Sequence, residues 1–485
     1  MKSITKNSLF NLAYIAVDSF IPLIISGYVA RVLLSGGVGR VAYAQNTAGY
    51  FSAFAQFSIT YYGVREIARA GERLHEVNRL FTELFLINCL TTTAALSAYV
   101  LFLWRSGGLD ALALACGVPV AVNYLNISWL YQGKEEYVYL AARNIAVKLL
   151  SLAAVLQLVH TPSDIVGYAL IAGAATGCGY ICDILCAHRY VSPTWAGLDF
   201  RRHAKPLLLL AAGELSFAAF GKIHITILGK LSSPEALGCY SYAQSAAQIV
   251  LNLCTAIPAA GFPRLNYYYR ADRGQFRNLL RLELQSAAFL TIPACAGCIL
   301  MAPSLMVLLF GDSFLPSAAI LQLLAPLVMI QAVSSVLCVQ MLFSTGNEWL
   351  RIPVYLAGCA GIAALDHLLI PAFSANGAAV ALTVCELAIT GGSAWRMYRM
   401  NPFPFPARAL LQAVFSTAVM CAAVQGILHL AHTPLMQCIA GVAGGMLVYG
   451  IVNLMIGSEL LWYVVKKFGE RAAAWKERVI WRRSR

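Results

Sequence analysis

Fourteen apolar stretches, most of them about twenty residues long, follow one another along the 485-residue chain with only short connections between them. A helix of about 20 apolar residues crosses the roughly 30 Å hydrocarbon core of a bilayer. The pattern therefore predicts an all-α integral membrane protein with about 14 transmembrane helices and no room for a soluble domain. The predicted spans are 8–33, 41–62, 80–103, 111–131, 145–160, 165–187, 206–231, 237–262, 283–310, 317–344, 353–371, 377–395, 409–430 and 435–465.

Composition excludes the soluble alternatives. The chain is 59% hydrophobic and 12% charged, with a mean hydropathy of +0.69. An ordinary soluble domain is about 25% charged, and its polar surface could not cover so much apolar material. A soluble enzyme, a disordered scaffold and a nucleic-acid-binding domain are therefore excluded.

Basic residues are concentrated in alternate connections between the predicted spans. Thirty of the 35 Lys and Arg lie in the N-terminus, in 63–79, 132–148, 188–205, 263–281, 345–352 and 396–408, and in the tail from Lys466. Short loops rich in Lys and Arg stay in the cytoplasm, so both termini are predicted to be cytoplasmic. The net charge of +13 then reflects membrane topology, and no nucleic-acid partner is expected.

An internal repeat relates the two halves of the chain. Residues 39–45 (GRVAYAQ) match residues 238–244 (GCYSYAQ) at an offset of 199, and at the same offset Arg31 matches Lys230 and Arg65 matches Arg264. Six spans separate the copies, so the repeats run in parallel, as in secondary transporters whose substrate path lies between two lobes. We predict a six-helix lobe over 1–187, a cytoplasmic linker over 188–205, a second six-helix lobe over 206–400, extra helices 13 and 14 over 401–465, and a basic interfacial tail over 466–485.

Ionisable residues at membrane depth are costly and are candidates for function. Lys222 lies about 24 Å along its helix from Pro206, at 1.5 Å per residue, so its charge cannot reach water easily. We expect it to line a hydrated central cavity as a cation. The alternative is a structural ion pair with Glu214, eight residues earlier on the same helix, or with Asp18.

The other candidates divide by charge. A cationic cavity suits a substrate that bears phosphate, because phosphate needs compensating charge where water is scarce. Buried acids and a histidine could instead bind a coupling H⁺ or Na⁺. The further cationic candidates are Arg31, Lys230, Arg65 and Arg264, and the coupling candidates are Glu214, Asp18, His224, Asp366 and Glu386.

Several of these candidates have plainer explanations. Arg31 and Lys230 lie near the predicted outer surface, where long side chains can reach the lipid headgroups, and Arg65 and Arg264 fit cytoplasmic anchoring. Asp366 and Glu386 could be satisfied by helix packing. The chain has no nucleotide-binding, zinc-protease or nucleophile-elbow motif. We therefore expect no catalytic residue, no metal site and no cofactor.

Several segments, in the order in which they occur, match a known family. They are 62–69 (YGVREIAR), 129–137 (WLYQGKEEY) followed by Arg143-Asn144 and Lys148, Leu228-Gly229, 237–244 (LGCYSYAQ), 262–264 (FPR), and 376–381 (NGAAVA) ending in Glu386. The chain resembles Wzx-type polysaccharide flippases of the multidrug/oligosaccharidyl-lipid/polysaccharide exporter superfamily. One departure is that His224-Ile225 stands where relatives often carry an acid followed by a base, and Lys222 could replace that base.

The resemblance implies a function. Such proteins have two six-helix lobes around a cationic cavity that opens alternately to each side of the bacterial cytoplasmic membrane. The implied substrate is an undecaprenyl-pyrophosphate-linked oligosaccharide, moved from the inner to the outer leaflet for surface polysaccharide such as O-antigen. Membrane lipids are expected partners, and the polysaccharide polymerase and chain-length machinery are candidate partners. The alternatives are a multidrug/cation antiporter, a peptidoglycan-precursor flippase or, in a different class, a membrane polysaccharide polymerase or ligase.

Overall fold

The computed structural model describes residues 4–259, 261–400, 402–403, 406–458 and 460–461, with side chains from Phe20 onward except those of Ile257 and Glu348. Within these ranges the regular structure is helical and contains no strand, which confirms the predicted all-α membrane fold. The tail predicted over 466–485 lies outside the described residues. The helices are α1 (Ile4–Gln56), α2 (Ile59–Ala70), α3 (Leu74–Ser106), α4 (Ala111–Val122), α5 (Ser128–Gly133), α6 (Tyr137–Leu158), α7 (Ile165–Ala187), α8 (Arg201–Leu231), α9 (Pro234–Ala259), α10 (Phe262–Ala271), α11 (Arg273–Phe310), α12 (Ser317–Ser334), α13 (Met341–Thr345), α14 (Arg351–Met400), α15 (Ala407–Leu430) and α16 (Pro434–Met455).

Ten helical segments among the described residues are long and apolar enough to cross a membrane. Two of them combine predicted spans: Phe20–Ala70 contains the second part of 8–33 and all of 41–62, and Arg351–Met400 contains 353–371 and 377–395. Their backbones leave the helical conformation at Leu34 (φ 59°) and at Ser374 (φ 51°). Positive φ is uncommon for residues other than glycine, so these two positions separate the paired spans. The exact number of crossings and the cytoplasmic location of both termini stay predictions.

The predicted span 111–131 is wrong as a single helix. Helix α4 ends at Val122, a 3₁₀ turn follows, and the chain is extended at Asn126 before α5 begins. The reason is a buried amide pair, because Asn88 of α3 donates to the carbonyl oxygen of Asn123 (2.7 Å). The Asn123 side chain in turn donates to Asn88 Oδ1 (3.0 Å) and to Thr92 Oγ1 (2.8 Å). The Asn88 side chain thus donates to the Asn123 carbonyl oxygen, which would accept a backbone N–H if the helix continued.

Close packing divides the chain into two units. The first unit runs to Ser241 and adds Leu309–Phe314 and Arg351–Ala381. The second unit contains Tyr242–Leu308, Leu315–Leu350 and residues from Leu382 onward. The boundaries of the two six-helix lobes stay a prediction.

Each unit has its own apolar core. In the first unit the fully buried Trp129 packs with Ile67 and Leu84. Gly63 makes room for the indole, because a Cβ atom at residue 63 would lie 2.8 Å from that ring. In the second unit the core side chains come from α10, α11, α13, α14 and the segment before α13. They include Leu265, Phe276, Leu280, Val336, Met341 and Met397.

The linker predicted over 188–205 is attached to α3 by a buried carboxylate. Glu83 of α3 is fully buried and accepts a hydrogen bond from the backbone N–H of Asp199 (2.6 Å). Arg79 Nε donates to the same carboxylate (3.0 Å), Arg202 forms an ion pair with it, and His203 Nε2 lies 2.8 Å from it. A buried charge needs this degree of compensation. The first unit therefore includes the start of α8.

Candidate functional site

Lys222 lies in a polar contact between α8 and the second half of α1. Its half-buried side chain packs on Gly49, where a Cβ atom would collide with Nζ and would lie 3.0 Å from Cε. Asn46 donates to the Lys222 carbonyl oxygen (3.2 Å) and to Thr226 Oγ1 (2.9 Å). The hydroxyl of Tyr50 lies 3.0 Å from the same Thr226 oxygen. We call Asn46, Gly49, Tyr50, Lys222 and Thr226 the Lys222 cluster.

Glu214 does not neutralise Lys222. Its Oε1 atom lies 3.7 Å from Nη1 of Arg351, at the start of α14. Arg351 also lies over the Phe217 ring, with Cζ 5.5 Å from the ring centroid. Among the described side chains, Nζ of Lys222 has no hydrogen bond or ion pair. The side chain of Asp18, the other predicted partner, lies outside the described residues.

Arg31 contacts the C-terminal end of α11. Its Nη1 atom donates to the carbonyl oxygens of Gly27 (2.8 Å) and Leu309 (2.9 Å). Gly311, with a φ of +92°, follows α11, and a Cβ atom there would lie 3.3 Å from Arg31 Cγ. The last carbonyls of a helix lack intrahelical partners and carry partial negative charge. The guanidinium group of Arg31 is therefore positioned by a helix end.

The remaining cationic candidates are exposed. Lys230 is at the end of α8 and lines a cleft of about 580 Å³ together with Arg40. Arg65 pairs with Glu66 (3.0 Å), and its guanidinium carbon lies 5.2 Å from the Tyr62 ring centroid. Arg264, in the second unit, is exposed near the start of α10.

Three buried polar side chains come together between α8, α9 and α14 of the first unit. His224, Tyr240 and Asp366 are each fully buried, and the rings of His224 and Tyr240 are 5.5 Å apart. The Asp366 carboxyl lies within electrostatic range of the Tyr240 hydroxyl. Neither oxygen of Asp366 nor the Tyr240 hydroxyl has a hydrogen-bond partner in the described part of the chain. A carboxyl in such surroundings can hold a proton, because neutralisation removes the cost of a buried charge.

Glu386 lies in the second unit. It is buried and accepts a hydrogen bond from Gln331 Nε2 (3.0 Å). Within the described ranges, no group of three or more His, Cys, Asp or Glu side chains is arranged to hold a metal ion.

Two buried ion pairs are not predicted by the sequence patterns. Besides Glu83, Asp183 of α7 is fully buried and pairs with Arg143 of α6, and Ser128 donates to its Oδ2 atom (2.7 Å). Asp183 was visible as an acid inside a predicted span. The predicted span 145–160 does not include its partner Arg143, because α6 begins at Tyr137, eight residues before that span.

Comparison with solved structures identifies the fold class. A structure titled "Lipid II flippase MurJ, inward closed conformation" matches 93% of this chain and 99% of its own, with a TM-score of 0.75 and 13% identity. An inward-facing multidrug resistance MATE family transporter of the MOP superfamily matches 79% of this chain and 94% of its own, with a TM-score of 0.61 and 13% identity. The fold is therefore that of the multidrug/oligosaccharidyl-lipid/polysaccharide exporter superfamily, as the resemblance implied.

Sequence comparison then identifies the family. The family model described as "Polysaccharide biosynthesis protein" matches residues 4–268, more than half of the chain. A curated Escherichia coli (strain K12) protein named "Putative O-antigen transporter" is 23% identical over 402 residues, which cover 78% of this chain and 94% of that protein. A Shigella dysenteriae protein of the same name is 22% identical over 372 residues, which cover 75% and 91%. The chain belongs to the polysaccharide biosynthesis protein family.

The family assignment confirms several predictions together. The chain is a multi-pass membrane transporter rather than an enzyme, in agreement with its relatives. It is a protein of the bacterial inner membrane.

Proposed function

We propose that this protein moves an undecaprenyl-pyrophosphate-linked oligosaccharide from the inner to the outer leaflet by alternating access. Family membership and the names of the relatives support transport in polysaccharide biosynthesis. The observation that carries the finer proposal is the half-buried ammonium group of Lys222, which has no anionic partner among the described side chains.

The chemistry of the Lys222 cluster suits a pyrophosphate. An ionised group at membrane depth costs several kcal/mol unless a partner or water compensates it. A pyrophosphate head would supply that compensation while the substrate is bound. Charge-assisted hydrogen bonds to phosphate are about twice as strong as neutral ones. The hydroxyl groups of Tyr50 and Thr226, which lie beside Lys222, could contact the sugars.

The sign of the charge separates this proposal from a drug antiporter of the same superfamily. An exporter of cationic drugs is expected to present acids to its substrate. Glu214, the nearest predicted acid on α8, is instead opposed by Arg351. The Lys222 cluster contains no acid, so it favours an anionic substrate. A peptidoglycan precursor carries the same pyrophosphate, and the identity of the sugars distinguishes the two flippases.

Further residues of the proposed path have supporting roles. Arg31 is positioned by the carbonyls at the end of α11 and can attract the substrate head. Lys230, which like Arg31 lies near the predicted outer surface, can act on the substrate at the outer leaflet, and Arg65 and Arg264 can act at the cytoplasmic entrance. After release, the lipid-linked unit would pass to a polysaccharide polymerase and its chain-length machinery.

We propose that protons drive the return step through His224 and Asp366. Protonation of a buried carboxyl lowers the free-energy cost of keeping it in a low-dielectric environment. This difference between the two protonation states can favour one conformation over another. Asp18, Glu214 and Glu386 are alternative coupling residues, and Na⁺ is the alternative coupling ion.

The deciding experiment measures which leaflet holds the lipid-linked oligosaccharide in cells that lack the gene. Complete repeat units should accumulate in the inner leaflet, and surface polysaccharide should disappear. Accumulation of unpolymerised units in the outer leaflet would support a polymerase instead. An unchanged pool with altered drug sensitivity would support an antiporter.

A variant series tests the role of Lys222. Lys222→Ala should abolish transport while membrane insertion stays normal, and Lys222→Arg should keep part of the activity because it keeps the charge. Lys205→Ala is a matched control, because Lys205 is an exposed lysine on the same helix. Full activity of Lys222→Ala would remove this residue from the site.

A further inference from the structure

A cleft at one end of the first unit brings together two cations that are far apart in the sequence. Arg40 of α1 and Lys230 of α8 both line it, and the cleft volume is about 580 Å³. Tyr43 and Phe102 form part of its apolar wall. This size lies within the range of ligand-binding pockets.

The two cations lack protein anions. In the described part of the chain, neither Arg40 nor Lys230 forms an ion pair, and the Tyr43 hydroxyl has no hydrogen bond. Asp110 also lines the cleft, but its Oδ1 atom accepts the backbone N–H of Ala113 (2.7 Å) and caps α4. The cleft therefore keeps a net positive charge.

Close packing brings the tyrosine to the cations. Gly229 immediately precedes Lys230, and a Cβ atom at residue 229 would collide with the Tyr43 ring. The absence of a side chain at Gly229 lets α1 and α8 approach at this point. Arginine, lysine and tyrosine donors around one cavity are a suitable set for phosphate oxygens.

The surroundings of the cleft indicate a membrane interface. The last turns of α3, which form one wall, expose Leu101, Phe102 and Trp104, with Trp104 69% exposed. Exposed tryptophan beside basic residues is typical of the headgroup level of a bilayer. This end of α3 is the opposite end from Leu74, and the topology prediction assigns it to the outer side.

We propose that the Arg40–Lys230 cleft binds the phosphate of a membrane lipid at this interface. The lipid is either an isoprenoid pyrophosphate or an anionic phospholipid, which share the same phosphate chemistry. Lys230 supplies a point charge, Arg40 a planar pair of donors, and Phe102 an apolar surface for the first methylene groups. This inference adds Arg40 and a lipid-phosphate site at the interface to the proposed function. The choice of an isoprenoid pyrophosphate as the lipid rests on the proposed function, whereas binding of an anionic phospholipid does not.

Binding to the intact protein in phosphatidylcholine nanodiscs tests the proposal. Undecaprenyl pyrophosphate and phosphatidylglycerol are added separately, and occupancy is measured by native mass spectrometry. Arg40→Gln and Lys230→Gln should each weaken binding of the preferred lipid roughly tenfold, the effect of one charge-assisted hydrogen bond. Arg105→Gln is the matched control, since Arg105 is an exposed arginine at the same end of α3 outside the cleft.

Each outcome has a defined meaning. Preference for undecaprenyl pyrophosphate would identify the isoprenoid as the ligand, and equal or stronger binding of phosphatidylglycerol would identify a phospholipid. Unchanged binding in both Arg40→Gln and Lys230→Gln would overturn the proposal. Thermal unfolding of each variant verifies folding. Repeating the Arg40→Gln and Lys230→Gln measurements in the Lys222→Ala background removes the proposed pyrophosphate site of the Lys222 cluster. A loss of binding in that background is due to the cleft, so failure of transport and failure of the cleft are separate results.

Discussion

The backbone of Gly39 lies directly against the backbone of Gly238, and the contact is reciprocal. A Cβ atom at Gly39 would collide with the carbonyl oxygen of Pro234, and one at Gly238 would collide with the carbonyl oxygen of Ser35. The same Cβ atoms would lie 2.9 Å from Gly238 N and 3.1 Å from Gly39 N. Ser35 and Pro234 are related by the same offset of 199 residues as the two glycines. Equivalent positions of the two repeats therefore meet across a local two-fold relation, which gives the repeated motif a structural reason.

The Gly39–Gly238 contact predicts a sensitivity to the smallest side chain. Gly39→Ala and Gly238→Ala should each destabilise the protein by about 1–3 kcal/mol, the usual range for overpacking, because the opposing atoms belong to the backbone and cannot rotate away. Thermal unfolding in detergent measures the effect. Gly167→Ala is the control, since a Cβ atom at Gly167 meets nothing within 4 Å. Equal melting temperatures for all three variants would contradict the contact.

Gly49 predicts a different result, because its neighbour is the flexible end of Lys222. In Gly49→Ala the new Cβ atom displaces Nζ, which can rotate away at little cost. We therefore expect nearly unchanged stability and reduced transport, measured by the leaflet distribution of lipid-linked oligosaccharide. The Gly167→Ala variant is again the control. A fully active Gly49→Ala protein would show that the position of the ammonium group is unimportant.

The buried pair of Asp183 and Arg143 predicts a strong and non-additive effect on stability. Asp183→Asn leaves the mostly buried Arg143 without its partner, and breaking a buried pair costs about 3–5 kcal/mol. The double variant Asp183→Asn with Arg143→Gln should recover part of this loss, as residues in contact couple. Chemical denaturation in micelles measures both values. Strictly additive losses would show that the two side chains act independently.

Much of the fold could be predicted because hydrophobic length alone defines a membrane span. Helix α15 begins and ends within three residues of the predicted span 409–430. Asn123 shows where this reasoning stops: an asparagine in an apolar stretch looks neutral in sequence, but in the fold it pairs with Asn88 and ends α4. Such a break depends on a partner 35 residues away.

The candidate site likewise has a part that the sequence predicts and a part that it does not. Lys222 could be found because a lysine far from either end of an apolar helix is rare. The attachment of Glu83 to the linker could not be predicted, because Asp199, Arg202 and His203 look like ordinary residues of a cytoplasmic loop in the sequence. The Arg40–Lys230 cleft could not be predicted either, because the sequence does not indicate that these two distant surface charges lie close together in the fold.

Asp366 predicts how transport responds to a proton gradient. Its two oxygens have no hydrogen-bond partner among the described residues, so Asp366→Asn removes a titratable group without breaking a hydrogen bond. We expect a folded protein whose transport in proteoliposomes no longer increases when an inward proton gradient is imposed. The melting temperature should be unchanged or higher, because the variant cannot carry a buried charge.

Asp164 provides the matched control for Asp366. It is a partly exposed acid in the connection between α6 and α7, where the backbone N–H groups of His160 and Thr161 hold the pKa of its carboxyl below the ordinary value. The Asp164 carboxyl thus stays ionised as the pH falls toward the ordinary aspartate range. Asp164→Asn should therefore keep the normal response to the gradient. If Asp366→Asn responds to the gradient as strongly as Asp164→Asn, coupling does not pass through Asp366. Glu386→Gln is then the next variant to compare, because Glu386 is buried with a hydrogen-bond partner in the second unit.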